Sequence, residues 1–126
     1  MTDYTFRRGD IVWFNDPVDE MDGTYVLHGR HPAIVVSGDG ANIHSDTVII
    51  APMTSNTAKR IYPGQFDVSF ERLSRVRCDQ LRVVDKHTLE QPVAKLDQDA
   101  LSRLDSALTE ALGIWCSSGF DTVSVV

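Results

Sequence analysis

The residues best equipped for chemistry sit in one stretch, Arg75–Asp85, read as Arg-Val-Arg-Cys-Asp-Gln-Leu-Arg-Val-Val-Asp. In an extended strand successive side chains alternate faces, which sends Arg75, Arg77 and Asp79 one way and Val76 and Cys78 the other. Two cations beside one carboxylate can hold a phosphate next to a proton acceptor. The plain alternative is an exposed strand face carrying ordinary salt-bridge partners. The apolar positions then change parity, from Val76 and Cys78 to Leu81 and Val83. That slip predicts a bulge or sharp bend near Asp79–Gln80, a device that re-aims side chains beside active sites.

The rest of the chain reads as the frame for this stretch. Ile11-Val12-Trp13-Phe14, closed by Asn15-Asp16-Pro17, predicts a strand buried on both faces. Residues 15–30 predict a long polar loop, and long loops in small domains tend to carry function. Ala33–Ser37 predicts a second buried strand, stopped by Gly38-Asp39-Gly40, and after a short polar stretch Thr47–Ala51 predicts a third. A loop from Pro52 to Gly64 leads to Gln65–Phe70, whose alternation suits a half-buried strand. Pro92–Leu96 reads as a short edge strand, where a leading proline is tolerated. The helix comes last. Ala100, Leu101, Leu104, Ala107, Leu108, Ala111 and Leu112 recur at three- and four-residue steps, with Asp97 or Asp99 to cap the start and Gly113 the end.

Composition narrows the class. The 126 residues suffice for one domain with its own core, and 42% hydrophobic with 24% charged residues is ordinary for a soluble protein. No apolar run reaches the length of a membrane span, and the first residues lack the apolar region of a signal peptide, so no membrane partner is expected. Cys78 and Cys116 lack metal-type spacing, which predicts free thiols, no structural zinc and a cytoplasmic location. The net charge of −6 argues against a general nucleic-acid coat. Residues 1–50 carry eight acidic and three basic side chains, residues 51–95 five and eight, and residues 96–126 five and one. A basic middle within an acidic chain fits one local anion site.

Four segments, in this order, resemble the MazF/PemK (Kid) family of type II toxin–antitoxin ribonucleases. They are Arg8–Trp13, His31–Ser37, Ala51–Ser55 and Arg77–Asp85. The likeness covers roughly residues 7–114 and suggests one domain over 1–115 with an unassigned tail, 116–126. It implies a mainly β fold with α, an SH3-like small β-barrel with a C-terminal helix. It also implies a homodimer, a cognate antitoxin peptide that blocks the cleft, and sequence-selective cutting of single-stranded RNA without metal or other cofactor. In that reaction the ribose 2′-hydroxyl attacks the adjacent phosphate and leaves a cyclic phosphate.

Carried over by matching position, Asp79 is the base, Arg77 the acid or phosphate clamp, and Thr54 a phosphate contact. The clamp suits Arg77 better, because a guanidinium hardly deprotonates while its fork fits phosphate oxygens. Asp79 can serve as a base if burial or a missing cation contact keeps its pKa from falling beside two arginines. Arg75 reads as a solvated neighbour. The RNA-contacting set implied alongside is Ser55, Lys59, Arg60, Gln80 and the loop residue His28.

One departure stands out. The family usually carries Arg directly before the proline of the second block, where this chain has His31, preceded by Arg30. Either Arg30 reaches the same phosphate from the neighbouring position, or His31 serves as acid or base, or both merely line a loop. His44 and His87 read as surface residues and Cys78 as a small core-facing one. Two alternatives keep the fold and change the activity. One is a CcdB-like gyrase inhibitor, suggested by Gly113-Ile114-Trp115; the other is a non-cleaving member that binds only RNA or an antitoxin.

Overall fold

The strand Thr47–Thr54 (β3) organises the sheet, because three other strands pair with it, all antiparallel. The computed structural model describes residues 4–16 and 29–114. In chain order they form β1 (Asp10–Asp16), β2 (Gly29–Val35), a short helix α1 (Asp39–His44), β3, β4 (Gln65–Phe70) and β5 (Arg72–Arg77). A 3-10 turn at Cys78–Gln80 leads to β6 (Arg82–Asp85), a second turn at Lys86–Thr88, β7 (Ala94–Lys95) and the helix α2 (Gln98–Leu112). The sheet runs β4-β5-β3-β2-β1-β7, with β6 also on β3. It curls as an antiparallel half-barrel with α2 packed across it, which is the expected fold.

The parity slip has a clear structural cause. Ile50 pairs with Val35 of β2 on one side and with Arg82 of β6 on the other, while Met53 and Thr54 pair with Val76 and Arg75 of β5. Strands β5 and β6 therefore follow one another along the same edge of β3. Between them Ala51 and Pro52 face the whole of residues 77–81, and the surplus chain is thrown out as the 3-10 turn. The predicted bend falls at Asp79–Gln80.

Both faces are covered over most of the sheet, which explains the unbroken apolar runs, while Ile49 and Val83 at the β3–β6 end stay exposed. One face sets Ile11, Ile34, Ala51, Met53, Val76 and Cys78 under Leu104 and Ala107 of α2. The other packs Val12, Phe14, Ala33, Val35, Val48 and Ile50 against Phe6 and Leu89. Burying one such Val, Ile, Leu or Phe is worth roughly 1.5–3 kcal/mol, and the alternation spends neighbouring residues on opposite faces.

Helix α2 starts where the Asp97 carboxylate accepts the Ala100 N–H at 2.8 Å, which settles the choice of cap in favour of Asp97. It stops at Gly113, whose φ of 65° is left-handed. Leu112, counted with the apolar stripe, is exposed. Helix α1 replaces the expected polar stretch. Its buried residue is Asn42, tied to Ser37, so no apolar period marked it. β1 and β3 run longer than the sequence pattern suggested, and β2 starts earlier but stops at Val35 rather than Ser37. β4 matches the expected Gln65–Phe70, and Pro92–Leu96 pairs only at Ala94 and Lys95. The middle of the expected 15–30 loop, His28 included, lies outside the described residues, as does the tail from 115 on.

Candidate active site

The site grows from the β4–β5 pairing. Register places Gln65 opposite Arg77 and Asp67 opposite Arg75. Arg77 ends β5, and the 3-10 turn that follows swings Asp79 back onto it. Arg77 Nε donates to Asp79 Oδ1 and Nη2 to Oδ2, each at 2.9 Å, a two-toothed fork. Gln65 Nε2 adds a third bond to Oδ2 at 3.1 Å. The pair stays open to solvent, with the two side chains 24% and 34% exposed. Burial on its own pushes the Asp79 carboxyl up. The bonds from Arg77 and Gln65, the Arg77 charge and the residue's own backbone N–H outweigh it and hold the group below its ordinary range. The condition set for Asp79 as a base therefore fails in one respect. The carboxylate is ionised and aimed, but its pKa has fallen, which makes it a weak acceptor.

Arg75 is not a solvated neighbour. It is buried, with Nε and Nη2 on the Asp67 carboxylate at 2.8 and 3.1 Å. Its remaining donors reach the carbonyls of Lys59 at 2.6 Å, Arg60 at 3.4 Å and Thr57 at 3.4 Å. The bond to Asp67 raises its pKa despite burial. The sequence could not show this, because the partner lies directly across β4 and the carbonyls belong to a distant loop.

A cleft of about 320 Å³ opens beside Arg77, lined also by Thr54, Asn56, Lys59, Arg60, Tyr62, Gln65 and Arg75. Thr54 Oγ1 accepts the Asn56 N–H at 3.1 Å, and the Arg60 guanidinium lies 4.7 Å from the centre of the Tyr62 ring. The cleft thus gathers Thr54, Lys59, Arg60 and Arg77, with Asp79 bonded to its wall. Cations and a hydroxyl here suit a phosphodiester, with the ionised Asp79 carboxylate held against the cleft wall by Arg77 and Gln65.

The other expected residues fall elsewhere. Ser55, next along the chain from Thr54, lines a second cleft of about 260 Å³ with Trp13, Arg30, His31, Phe70 and Arg72. There the Arg30 guanidinium sits 4.2 Å from the Trp13 ring centre and bonds the Glu90 carboxylate at 3.2 Å. Arg30 and His31 are therefore not among the residues lining the cleft beside Arg77, because β2 reaches this end of the sheet across β3 from β5. Gln80 follows Asp79 in the 3-10 turn and is half-buried. Cys78 faces the core as expected, and burial pushes its thiol up to about 12. His44 and His87 are exposed. Among the described residues no group of three His, Cys, Asp or Glu gathers as a metal ion would need. No helix there is long and apolar enough to cross a membrane.

Sequence reasoning missed Gln65, Tyr62 and Asn56, and Trp13 as a wall of the second cleft. The Pro63-Gly64 turn was legible, but not that it delivers Gln65 to Asp79.

Comparison with known proteins converges on one family. A model of PemK-like, MazF-like toxins of type II toxin–antitoxin systems matches residues 7–112. Endoribonuclease EndoA of Bacillus subtilis is 30% identical over 115 residues, spanning 86% of this chain and 95% of EndoA. Endoribonuclease MazF9 of Mycobacterium tuberculosis is 32% identical over 119 residues, spanning 86% and 98%. The crystal structure of MazF from Deinococcus radiodurans matches with a TM-score of 0.71 at 26% identity, over 89% of this chain and 100% of that one. Its MazE–MazF complex matches with a TM-score of 0.68 at the same identity and coverage.

Proposed function

Because this chain belongs to the PemK-like, MazF-like toxins of type II toxin–antitoxin systems, we propose that it is an endoribonuclease that cuts single-stranded RNA at the Arg77–Asp79 cleft. The single observation that carries the site is the open fork of Arg77 on Asp79 within a cationic cleft. The family match favours this reading over a gyrase inhibitor.

Asp79, a weak acceptor by its lowered pKa but ionised and held in one orientation, accepts the proton of a ribose 2′-hydroxyl, and the freed oxygen attacks the adjacent phosphorus. Charge gathers on the phosphoryl oxygens as the 5′ oxygen leaves and takes a proton from water. Arg77 meets that charge with the guanidinium N–H groups that its fork on Asp79 does not use, and the Thr54 hydroxyl gives a further donor. A guanidinium positioned this way stabilises the transition state without giving up a proton. Lys59 and Arg60 follow the RNA backbone beyond the cut. Ser55, Arg30 and His31, with Trp13, take a neighbouring nucleotide in the second cleft, which answers the departure at His31: neither residue is asked to act at the scissile phosphate.

The partners follow from the same premise. A cognate antitoxin peptide covers the cationic cleft, as the MazE–MazF complex of the Deinococcus relative suggests by its name. A homodimer is supported by exposed apolar side chains on one face. Ile49 and Val83 stand opposite one another on β3 and β6, 38% and 66% exposed. The site of action is the cytoplasm, where messenger RNA is met.

The test is cleavage of short random-sequence single-stranded RNA by the pure protein in EDTA. Wild type gives fragments ending in cyclic phosphate, and Asp79→Asn lowers the rate by roughly 10²–10⁴-fold, the usual contribution of a general base. RNA that is retained but never cut would leave only the non-cleaving member of the fold.

A further inference from the structure

Gln65 reaches Asp79 from a turn shaped for the purpose. Tyr62-Pro63-Gly64-Gln65 closes on the bond from Gln65 N–H to Tyr62 O at 3.1 Å. Proline presets the first corner, and Gly64 holds a φ of 88° at the second. A side chain there would be strained and crowded. Its Cβ would lie 3.0 Å from the Ala111 Cβ of α2 and 3.7 Å from the Cβ of Asp79. Glycine thus lets the turn tuck under the helix against the 3-10 turn, and β4 starts with Gln65 opposite Arg77.

The amide is fixed at both ends. Its Oε1 accepts the Tyr62 N–H at 3.3 Å, which leaves Nε2 as the group facing Asp79 Oδ2 at 3.1 Å. Oδ2 also receives Arg77 Nη2, while Oδ1 receives Arg77 Nε. A carboxylate oxygen has about two lone-pair positions, and the side chains put two donors on Oδ2 but one on Oδ1, so Oδ1 is the oxygen they occupy less. Resting on the reading of Asp79 as base, we propose that Gln65 is a positioning residue. It locks the carboxylate flat in the Arg77 fork and makes Oδ1 the oxygen that takes the 2′-hydroxyl proton.

The step balances without other reactants. The 2′ O–H bond breaks toward Oδ1, the 2′ oxygen bonds phosphorus, and the phosphorus–5′ oxygen bond breaks. Water protonates the departing 5′ oxygen, and Asp79 returns its proton to solvent. A carboxylate free to rotate would offer the wrong oxygen part of the time, and small misalignments of a reacting group are costly.

Four proteins decide the matter, each assayed on short random-sequence single-stranded RNA in EDTA and followed by thermal melting: wild type, Asp79→Asn, Gln65→Leu and Gln65→Glu. Gln65→Leu lowers kcat by roughly ten- to a hundredfold, a larger change than any rise in KM from the loss of its side chain in the cleft lining, since aim is what is lost. Gln65→Glu keeps the acceptor for Tyr62 N–H but sets a carboxylate against Oδ2, so kcat falls at least as far while the melting temperature holds. Either Gln65 variant with wild-type kcat, or a change confined to KM, overturns the positioning role while wild type still cuts and Asp79→Asn does not. A wild type that never cuts, or an Asp79→Asn that cuts normally, takes down the underlying reading and this inference with it.

Discussion

Two residues apart on one face of β5, Arg75 and Arg77 each grip an aspartate through Nε and Nη2, yet their surroundings set them to different work. Arg75 and Asp67 are 6% and 19% exposed, against 24% and 34% for Arg77 and Asp79. The first pair is cross-strand, formed by residues directly opposite in the β4–β5 ladder, and its leftover donors bind loop carbonyls. The second closes over a turn, because the residue opposite Arg77 is the neutral Gln65. A buried fork with every donor taken can only hold structure. An open fork on the lining of a cleft can release its carboxylate or meet a phosphate. The type of residue is the same; burial and register decide the role.

The largest effect should separate the two pairs cleanly. Arg75→Met strands the Asp67 carboxylate and strips a donor from the carbonyls of Thr57, Lys59 and Arg60. Breaking a buried pair from one side costs about 3–5 kcal/mol, which for a domain of this size lowers Tm by roughly 10–20 °C. Arg77→Met breaks a half-open pair and should cost no more than about 1 kcal/mol. Its cleavage rate, however, should fall by roughly 10²-fold or more, as for loss of one preorganised donor to a developing charge. Thermal melts and RNA cleavage on both variants suffice. If Arg77→Met melts as low as Arg75→Met, the division between structural and functional pair is wrong.

This contrast also marks what the sequence could say. The Arg77-Cys78-Asp79-Gln80 block and the shift from Val76 and Cys78 to Leu81 and Val83 located the bend and the central pair. The strands at 11–14, 33–37 and 47–51 were legible from continuous apolar runs, and α2 from its stripe and caps. What stayed hidden depended on register and on contacts across the fold. Whether Arg75 meets Asp67 or solvent is fixed by which residue of β4 lies opposite. Whether Arg30 stands beside Arg77 is fixed by the order of β2, β3 and β5. Helix α1 buries polar Asn42, so no apolar rhythm announced it. Gln65 was read as one step of an alternating strand, because nothing local shows that a glycine turn sets its amide on a carboxylate.

A smaller effect tests the open pair through its titration. The pKa of Asp79 is held below that of an ordinary carboxyl, with burial opposing and Arg77 and Gln65 prevailing. In the proposed reaction the active form is the ionised one. Activity should therefore persist as pH falls through the ordinary carboxylate range and fail only below it. The same sign holds for stability: the pair's contribution is complete above the unfolded pKa and is lost as pH falls through the folded one. In Arg77→Met the fork and its charge are gone while burial remains, so whatever acid limb survives should move upward. The measurement is kcat/KM against pH, with circular dichroism at each point to confirm folding. An acid limb in wild type near neutral pH would mean that some other group is the titrating base.

The smallest expected signal is a reaction that does not occur, and it bears on how firmly the 3-10 turn holds Asp79. Cys78 opens that turn, buried against β3 and α2 while its neighbour Asp79 is bonded to Arg77 and Gln65 of the cleft lining. Burial foremost, then the charge of Asp79, against a weaker opposing pull from Arg8, pushes the thiol to about 12. At pH 8 only about one Cys78 in ten thousand is then a thiolate, against roughly a quarter for a free cysteine, and the thiolate is the reactive form. In a Cys116→Ser protein, where Cys78 is the remaining cysteine, a thiol-specific chromogenic disulfide should leave native protein unlabelled over hours and label it promptly in urea. Rapid labelling in the native state would show that the turn opens often. An Asp79 carried on such a turn could not keep the fork geometry on which its separation from the Arg75 pair depends.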